Sequence, residues 1–123
     1  MGITIDIIIP AFNEQDSIRK VLNDLPKDWV REIVVVSNGS TDNTVQNARC
    51  GGATVIEESQ KGYGRACLTG INYLRNKNIP PEIIVFLDAD YSDHPEELPS
   101  LVKPILHQEY ELVIGSRALG KKE

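Results

Sequence analysis

The sequence lacks the features that mark membrane proteins, disulfide-rich secreted proteins and nucleic-acid-binding proteins. Its 123 residues contain no apolar run near the roughly 20 residues that a membrane-spanning helix needs, and no basic start typical of a signal peptide. The two cysteines do not have the spacing of a zinc site or a disulfide framework. A net charge of −5 disfavours nucleic acid and anionic membranes as partners. We therefore expect one cytoplasmic domain that binds no nucleic acid.

Apolar, β-branched runs alternate with amphipathic segments along the chain. Each run predicts a buried strand, and each segment between two runs predicts a helix. This alternation predicts an α/β protein with a mostly parallel sheet and helices on both faces, a three-layer α/β/α arrangement. The predicted strands are 3–9, 32–36, 53–56, 82–87 and 111–114.

Polar residues suggest where several of these elements begin and end. Pro10 is expected to end the first strand, and Asn13 is a candidate N-cap of the first helix. Ser40 or Thr41 could cap the second helix. A last helix, interrupted by prolines, is expected over 93–106.

Two aspartates, Asp88 and Asp90, follow the fourth predicted strand directly. Side chains two residues apart on extended backbone point the same way, so both carboxylates could meet one ligand. Two carboxylates suit a hard divalent cation, which takes its remaining ligands from water and phosphate. The alternative is that the aspartates only end the strand and begin a turn.

Polar loops follow four of the predicted strands, at 10–14, 37–42, 88–93 and 115–117. In a parallel sheet the carboxyl ends of the strands lie along one edge, and α/β proteins bind their ligands there. The sequence therefore predicts a ligand site at the carboxyl edge of the sheet.

Five segments, in this order and at these intervals, resemble family 2 glycosyltransferases, which have the Rossmann-like GT-A fold. Together they span nearly the whole chain, and within the family they look closest to enzymes that transfer sugars to polyprenyl phosphates such as dolichol phosphate. The segments are 7–14 (IIIPAFNE), 39–42 (GSTD), 61–66 (KGYGRA), 88–96 (DADYSDHPE) and 113–117 (VIGSR).

The resemblance implies a nucleotide-diphosphate sugar donor of the UDP or GDP type, with Mg²⁺ or Mn²⁺ as cofactor. Asp88 and Asp90 match the family's DxD motif, in which the second aspartate binds the cation and the first contacts the ribose or the metal shell. The implied nucleotide-sugar site comprises Pro10, Ala11, Asn13, Glu14, Asn38, Gly39, Ser40, Lys61, Gly62, Arg65, Asp88, Ala89, Asp90 and Arg117.

Some of these residues depart from the family pattern or have simpler explanations. Ser37 and Asn38 stand where the family usually has two aspartates, one of which hydrogen-bonds the base. The identity of the base is therefore not determined by the resemblance. Lys61 and Arg65 could be solvated residues at a helix start. Glu14 could serve only as a cap, and Arg117 only as the partner of a carboxylate.

Family members continue beyond the Gly-Ser-Arg segment into a region that supplies the acceptor site and the catalytic base. The resemblance therefore implies that residues 1–123 form an incomplete, N-terminal donor-binding domain of a metal-dependent, inverting enzyme, with the catalytic residue beyond this chain. The parent enzyme is expected to associate with the cytoplasmic face of a membrane, and the incomplete domain to form homodimers through exposed apolar surface.

Two other functions remain open at this point. One is a non-catalytic nucleotide-binding or interaction module that keeps the fold, which Ser37 and Asn38 favour. The other is a nucleotidyltransferase, which would normally carry a glycine-rich, basic loop after its first strand. The loop 10–14 has neither glycine nor a basic residue, which argues against that function.

Overall fold

A computed structural model of the chain has the predicted alternation of strands and helices. The structure describes residues 4–26, 28 and 30–90, and the backbone of 112–114 and 117–118. In chain order the elements are β1 (Ile5–Ala11), α1 (Ile18–Asp24), β2 (Glu32–Ser37), α2 (Thr44–Cys50), β3 (Thr54–Glu57), α3 (Tyr63–Arg75), β4 (Ile83–Phe86), β5 (Leu112–Ile114) and β6 (Arg117–Ala118).

The strands form one sheet in the order β3-β2-β1-β4-β5-β6. All neighbouring pairs are parallel except β5 with β6. The mostly parallel sheet is therefore as predicted, and β1 lies at its centre. The antiparallel β6 was not predicted, because a strand of two residues is too short to show the alternation that identifies strands in a sequence.

The central strand β1 is buried along its whole length because helices cover both faces of the sheet. On one face Ile7 and Ile9 belong to a core cluster with α1 and α2, and on the other Ile8 packs with α3. Successive side chains of a strand point to opposite faces, so a continuous apolar run is what a strand between two helical layers requires. The predicted three-layer arrangement is confirmed.

Several element boundaries differ from those predicted. Helix α1 begins at Ile18 with Ser17 at the N-cap position, so the prediction that Asn13 caps it is wrong. Helix α2 follows Asn43 rather than Ser40 or Thr41. The reason in both cases is that these polar side chains bond a neighbouring loop, as described below. The helix predicted over 93–106 lies outside the described residues.

Pro10 does not end β1, which continues to Ala11. Proline lacks the N–H that a strand with two neighbours normally uses. Strand β4 pairs with β1 only as far as Ile8, so Pro10 has β2 alone as its neighbour in the sheet. The missing donor is therefore tolerated at this end of a strand that is otherwise central.

An ion pair between a buried carboxylate and a partly exposed arginine joins β1 to the residue that precedes β2, at the amino edge of the sheet. The carboxylate of Asp6, fully buried, accepts hydrogen bonds from Arg31 Nε at 3.1 Å and Nη2 at 2.6 Å. It also accepts one from the backbone N–H of Glu32 at 3.1 Å. The hydrogen bond to Asp6 raises the pKa of the Arg31 guanidinium. This edge is opposite the one that carries the predicted site.

The carboxylate of Glu32 ties α3 to β2 and β3. It accepts hydrogen bonds from Lys77 Nζ at 2.6 Å, the Tyr73 hydroxyl at 2.7 Å and the Thr54 hydroxyl at 2.9 Å. Burial acts to raise the pKa of Glu32, but these hydrogen bonds together lower it below its usual value. They fix the C-terminal part of α3 and so help to set the direction in which the start of α3 points.

Replacing Gly70 of α3 by alanine is expected to lower the free energy of unfolding by about 1–3 kcal/mol, although alanine has the better helix propensity. A Cβ at Gly70 would lie 2.8 Å from Cγ2 and 3.0 Å from Cδ1 of Ile8, which is fully buried. Urea unfolding measures the change. The control is Gly64→Ala in the same helix, where a Cβ meets no atom within 4 Å. Equal stability of the two variants would contradict the close approach of α3 to β1.

Candidate functional site

A cavity of about 340 Å³ lies at the carboxyl edge of the sheet. The ends of β1, β2 and β4 and the start of α3 surround it, as the predicted site requires. It is open to solvent, and its lining mixes aromatic, carboxylate and amide side chains. The lining residues are Pro10, Ala11, Phe12, Glu14, Asn38, Tyr63, Ala66, Asp88, Ala89 and Asp90.

The segment after β4 places two carboxylates at the cavity. Asp88 and Asp90 are exposed, whereas Leu87, which precedes them, and Ala89, which lies between them, are buried. The hydroxyl of Ser17 donates a hydrogen bond of 2.5 Å to the carbonyl of Ala89, which fixes this segment to the start of α1. Buried apolar side chains thus hold the backbone while both carboxylates face outward at the cavity.

The carboxylates suit a divalent cation that also binds phosphate. Among the residues that the structure describes, no three histidine, cysteine or acidic side chains gather around one point. Mg²⁺ and Mn²⁺ commonly bind through one or two carboxylates and complete their coordination with water and phosphate oxygens, and Asp88 and Asp90 fit that kind of site.

The loop after β1 is interlocked with the loop after β2. Asn13, which has a φ of +54°, donates its N–H to the Ser40 hydroxyl at 3.0 Å and accepts the N–H of Thr41 on its side-chain oxygen at 2.8 Å. The N–H of Glu14 donates to the Thr44 hydroxyl at 2.8 Å. The predicted site residues Asn13 and Ser40 thus hold the two loops together and do not line the cavity.

Asp42 completes this interlock from the start of α2. Its carboxylate accepts hydrogen bonds from the N–H of Thr44 at 2.9 Å and from the N–H of Gln15 at 3.4 Å. Hydrogen bonding from the Thr44 side chain is the main reason that the pKa of Asp42 lies below its usual value. Asp42 therefore satisfies a free N–H at the start of α2, and the Gly-Ser-Thr-Asp segment has a clear structural role.

The basic residues of the Lys61–Arg65 segment lie beside the cavity without lining it. The ammonium of Lys61 lies 5.0 Å from the centre of the Phe12 ring, a cation–π contact. Arg65 Nε lies 3.9 Å from the Glu58 carboxylate. The pKa of Glu58 is lowered, first by the hydrogen bond from the Thr69 hydroxyl. Both cations therefore have partners within the protein.

The remaining predicted site residues occupy different positions around the carboxyl edge. Gly39 has a φ of +84° in the turn after β2, and Gly62 has a φ of +127° at the N-cap position of α3, so both need glycine's freedom. The backbone of Arg117 pairs with Ile114 at the carboxyl end of β5. That register places Arg117 at the predicted edge, and its side chain lies outside the described structure.

Three residues that line the cavity were not among the predicted site residues: Phe12, Tyr63 and Ala66. Phe12 and Tyr63 are 49% and 56% exposed, which is unusual for aromatic side chains. Tyr63 and Ala66 are three residues apart in the first turn of α3, so they share one face of that helix. The signal in the sequence was an aromatic residue directly after a strand end and another directly after Gly62.

Comparison with known proteins finds one matching family and several similar proteins. A sequence profile described as glycosyl transferase family 2 matches residues 6–123. Protein MJ1222 of Methanocaldococcus jannaschii is 38% identical over 118 residues, 95% of this chain and 48% of that protein. The UDP-N-acetylglucosamine–dolichyl-phosphate N-acetylglucosaminyltransferase of Methanococcus voltae is 31% identical over 135 residues, 95% of this chain and 53% of that protein.

Solved structures have the same fold. Glucosyl-3-phosphoglycerate synthase from Mycobacterium tuberculosis, in complex with Mn²⁺, UDP and glucosyl-3-phosphoglycerate, superposes with a TM-score of 0.73 at 31% identity, over 85% of this chain and 40% of that one. The likeness confirms the predicted Rossmann-like GT-A fold. The chain spans about half the length of the curated relatives it matches. Over the described ranges, no helix has the length and apolar character needed to cross a membrane.

Proposed function

Because this chain belongs to glycosyl transferase family 2, we propose that it binds the nucleotide-diphosphate sugar donor of a glycosyltransferase. The observation that carries this proposal is the cavity where the ends of β1, β2 and β4 meet the start of α3. Its volume of about 340 Å³ falls within the range of small-molecule sites. Its lining includes aromatic side chains, which suit a base, and carboxylates, which suit a diphosphate with its cation.

The donor proposed for this site is a UDP-sugar, one of the two types that the family resemblance implies. The dolichyl-phosphate transferase from Methanococcus voltae uses UDP-N-acetylglucosamine, as its name states, and the mycobacterial synthase was solved with UDP. In this chain Phe12 and Tyr63, which are 49% and 56% exposed, line the cavity, and aromatic side chains of this kind suit stacking on a flat base. Stacking accepts any base, however, so the choice of uracil draws on the relatives.

Asp88 and Asp90 are the residues proposed to hold Mg²⁺ or Mn²⁺ together with the donor diphosphate. A bound cation there would offset the negative charge that develops on the departing nucleoside diphosphate. The chain's own contribution is to keep both carboxylates at the cavity, through the buried Ala89 and the hydrogen bond from Ser17 to its carbonyl. Preorganised groups of this kind need no rearrangement when the charge develops.

A polyprenyl phosphate is the proposed acceptor, and inversion at the sugar carbon is the proposed stereochemistry. The named Methanococcus voltae relative supports this acceptor because its name specifies dolichyl phosphate. A phosphate is already anionic, so it needs a general base less than a hydroxyl acceptor does. The catalytic base, where one acts, is proposed to lie beyond this chain. Membrane association of the parent enzyme and homodimer formation stay predictions.

The two other functions considered for the sequence have less support. The family match does not favour a nucleotidyltransferase, and the loop after β1 brings Phe12 and Glu14, rather than basic side chains, to the cavity. A non-catalytic module with this fold would not need a cation to bind nucleotide. Dependence of nucleotide binding on the cation therefore separates that function from the proposed one.

Replacing Phe12 by alanine is expected to weaken UDP binding about tenfold, because stacking of a base on an aromatic side chain contributes about 1–3 kcal/mol. Calorimetric titration of UDP in the presence of Mn²⁺ measures the change. Phe12→Tyr keeps the ring and should bind as the wild type does. Leu68→Ala is a second control, since Leu68 is 51% exposed on α3 and does not line the cavity. Wild-type affinity in Phe12→Ala would exclude Phe12 from the base site.

A further inference from the structure

The loop 58–62 engages every hydrogen-bonding group of the Asn38 side chain. Its Nδ2 donates to the carbonyl of Glu58 at 3.1 Å and to the carbonyl of Gln60 at 2.7 Å. Its Oδ1 accepts the N–H of Gly62 at 2.9 Å. An amide has two N–H donors and one carbonyl acceptor, so both donors are used. Two carbonyls on one side and an N–H on the other also fix which way the amide points.

The backbone beside Asn38 is anchored to two strands. The N–H of Asn38 donates to the carbonyl of Ala11, the last residue of β1, at 2.8 Å. The carbonyl of Ser37, the last residue of β2, accepts the N–H of Glu58 at 2.8 Å. Asn38 therefore links the loop 58–62 to the carboxyl ends of the two strands that form the floor of the cavity.

The loop 58–62 in turn sets the position of one wall of the cavity. It ends at Gly62, from which α3 begins, and the Gly62 carbonyl accepts the N–H of Ala66 at 3.1 Å. Tyr63 and Ala66 line the cavity from this first turn. Lys61, in the same loop, makes the cation–π contact with Phe12, which lines the cavity from the loop after β1. A shift of the loop would therefore move groups on two sides of the cavity.

We infer that Asn38 is a positioning residue, which shapes the nucleotide site by holding the loop 58–62 and does not read the base through its side chain. The inference rests on the proposed function for its effect on nucleotide binding, whereas the hold on the loop stands on the hydrogen bonds alone. An aspartate at position 38 would keep only the bond from Gly62 and would place negative charge against two carbonyl oxygens. A base-reading residue would tolerate that change, because a carboxylate accepts the N–H of uracil well.

The test compares Asn38→Asp and Asn38→Ala with the wild type in two measurements, at a temperature where all three proteins are folded. The first is hydrogen exchange of the backbone amides in 58–62 without nucleotide, which should be about tenfold faster in both variants. The second is the affinity for UDP with Mn²⁺, which should fall about tenfold in both. Asn72→Asp, an exposed asparagine on α3, is the matched control and should change neither measurement.

The outcomes are distinct. Unchanged exchange over 58–62 in Asn38→Asp, with UDP affinity equal to or higher than that of the wild type, would overturn the positioning role and favour direct contact with the base. Faster exchange with unchanged UDP affinity would overturn the link between the loop and the nucleotide site. If the wild type itself binds no UDP, the proposed function fails, and the exchange measurement still decides whether Asn38 holds the loop.

Discussion

Replacing Asp90 by asparagine is expected to lower the affinity for UDP in the presence of Mn²⁺ by about 100-fold, because a carboxylate ligand of the cation is lost. Asp90 is exposed at the cavity, so the free energy of unfolding should change by no more than about 0.5 kcal/mol. In EDTA the variant and the wild type should bind UDP equally weakly, since Asp90 acts on the nucleotide through the cation. The effect therefore belongs to the metal-bound state alone.

Calorimetric titration of UDP at a fixed, saturating concentration of Mn²⁺ measures this change. Asp28→Asn is the matched control: Asp28 is exposed and lies outside the cavity lining, and its replacement should leave the affinity unchanged. Equal affinity of the Asp90→Asn variant and the wild type in Mn²⁺ would rule out Asp90 as a ligand. A loss of affinity that persists in EDTA would instead indicate direct contact between Asp90 and the nucleotide.

The largest expected effect on stability follows from replacing Arg31 by methionine, which should lower the free energy of unfolding by about 3–5 kcal/mol. Asp6 is fully buried, and Arg31 supplies two of the three hydrogen bonds that its carboxylate accepts. Without Arg31 a buried carboxylate stays unpaired, which is more costly than the loss of the pair itself. Arg31 is partly exposed, with 31% of its side chain accessible. Asp6→Asn, which leaves Arg31 without its carboxylate, should therefore lower the free energy of unfolding by less.

Urea unfolding of a double-mutant cycle separates these contributions. Adding Asp6→Asn to Arg31→Met removes the buried charge and keeps an acceptor for the N–H of Glu32, so the double variant should be more stable than Arg31→Met alone. Arg75→Met, at an exposed arginine in the last turn of α3, should change stability by less than about 0.5 kcal/mol. Additive effects of the two substitutions would show that the ion pair contributes nothing beyond its separate residues.

Patterns within short stretches of sequence were sufficient to predict the layers of the fold. The run from Ile7 to Ile9 is apolar on both faces because helices cover both, and the apolar run that ends just before Asp88 indicated a strand with its carboxyl end at the site. The two carboxylates flank a buried alanine at the cavity, as the spacing of Asp88 and Asp90 suggested. These features depend on residues that are close together in the sequence, so they can be predicted from a single sequence.

Features that depend on contacts between distant residues could not be predicted in this way. Asn13 is suited by type to cap its own helix, but it bonds Ser40 and Thr41, 27 and 28 residues away. Asn38 was a candidate for contact with the base, yet its amide bonds a loop 20 to 24 residues further along the chain. The polar residue types indicated that hydrogen bonds would form, and only the fold determines with which partners.

The contribution of Phe12 and Tyr63 to the cavity illustrates the same limit. The sequence does not show whether an aromatic residue after a strand end packs into the core or stays exposed, and the positions of α3 and the loop 58–62 leave these two side chains about half exposed. Ala66 is buried on α3 and also lines the cavity, a position that its residue type does not indicate.

The most direct test of a metal-dependent donor site is a calorimetric titration of UDP into the wild-type protein, once with Mn²⁺ and once with EDTA. Saturable binding of one UDP per chain in Mn²⁺, at least about 100-fold weaker in EDTA, is the predicted result. A parallel titration with GDP then tests the choice of base. Absence of UDP binding in both conditions, by protein shown to be folded from its cooperative unfolding, would contradict a nucleotide-diphosphate site at the carboxyl edge of this sheet.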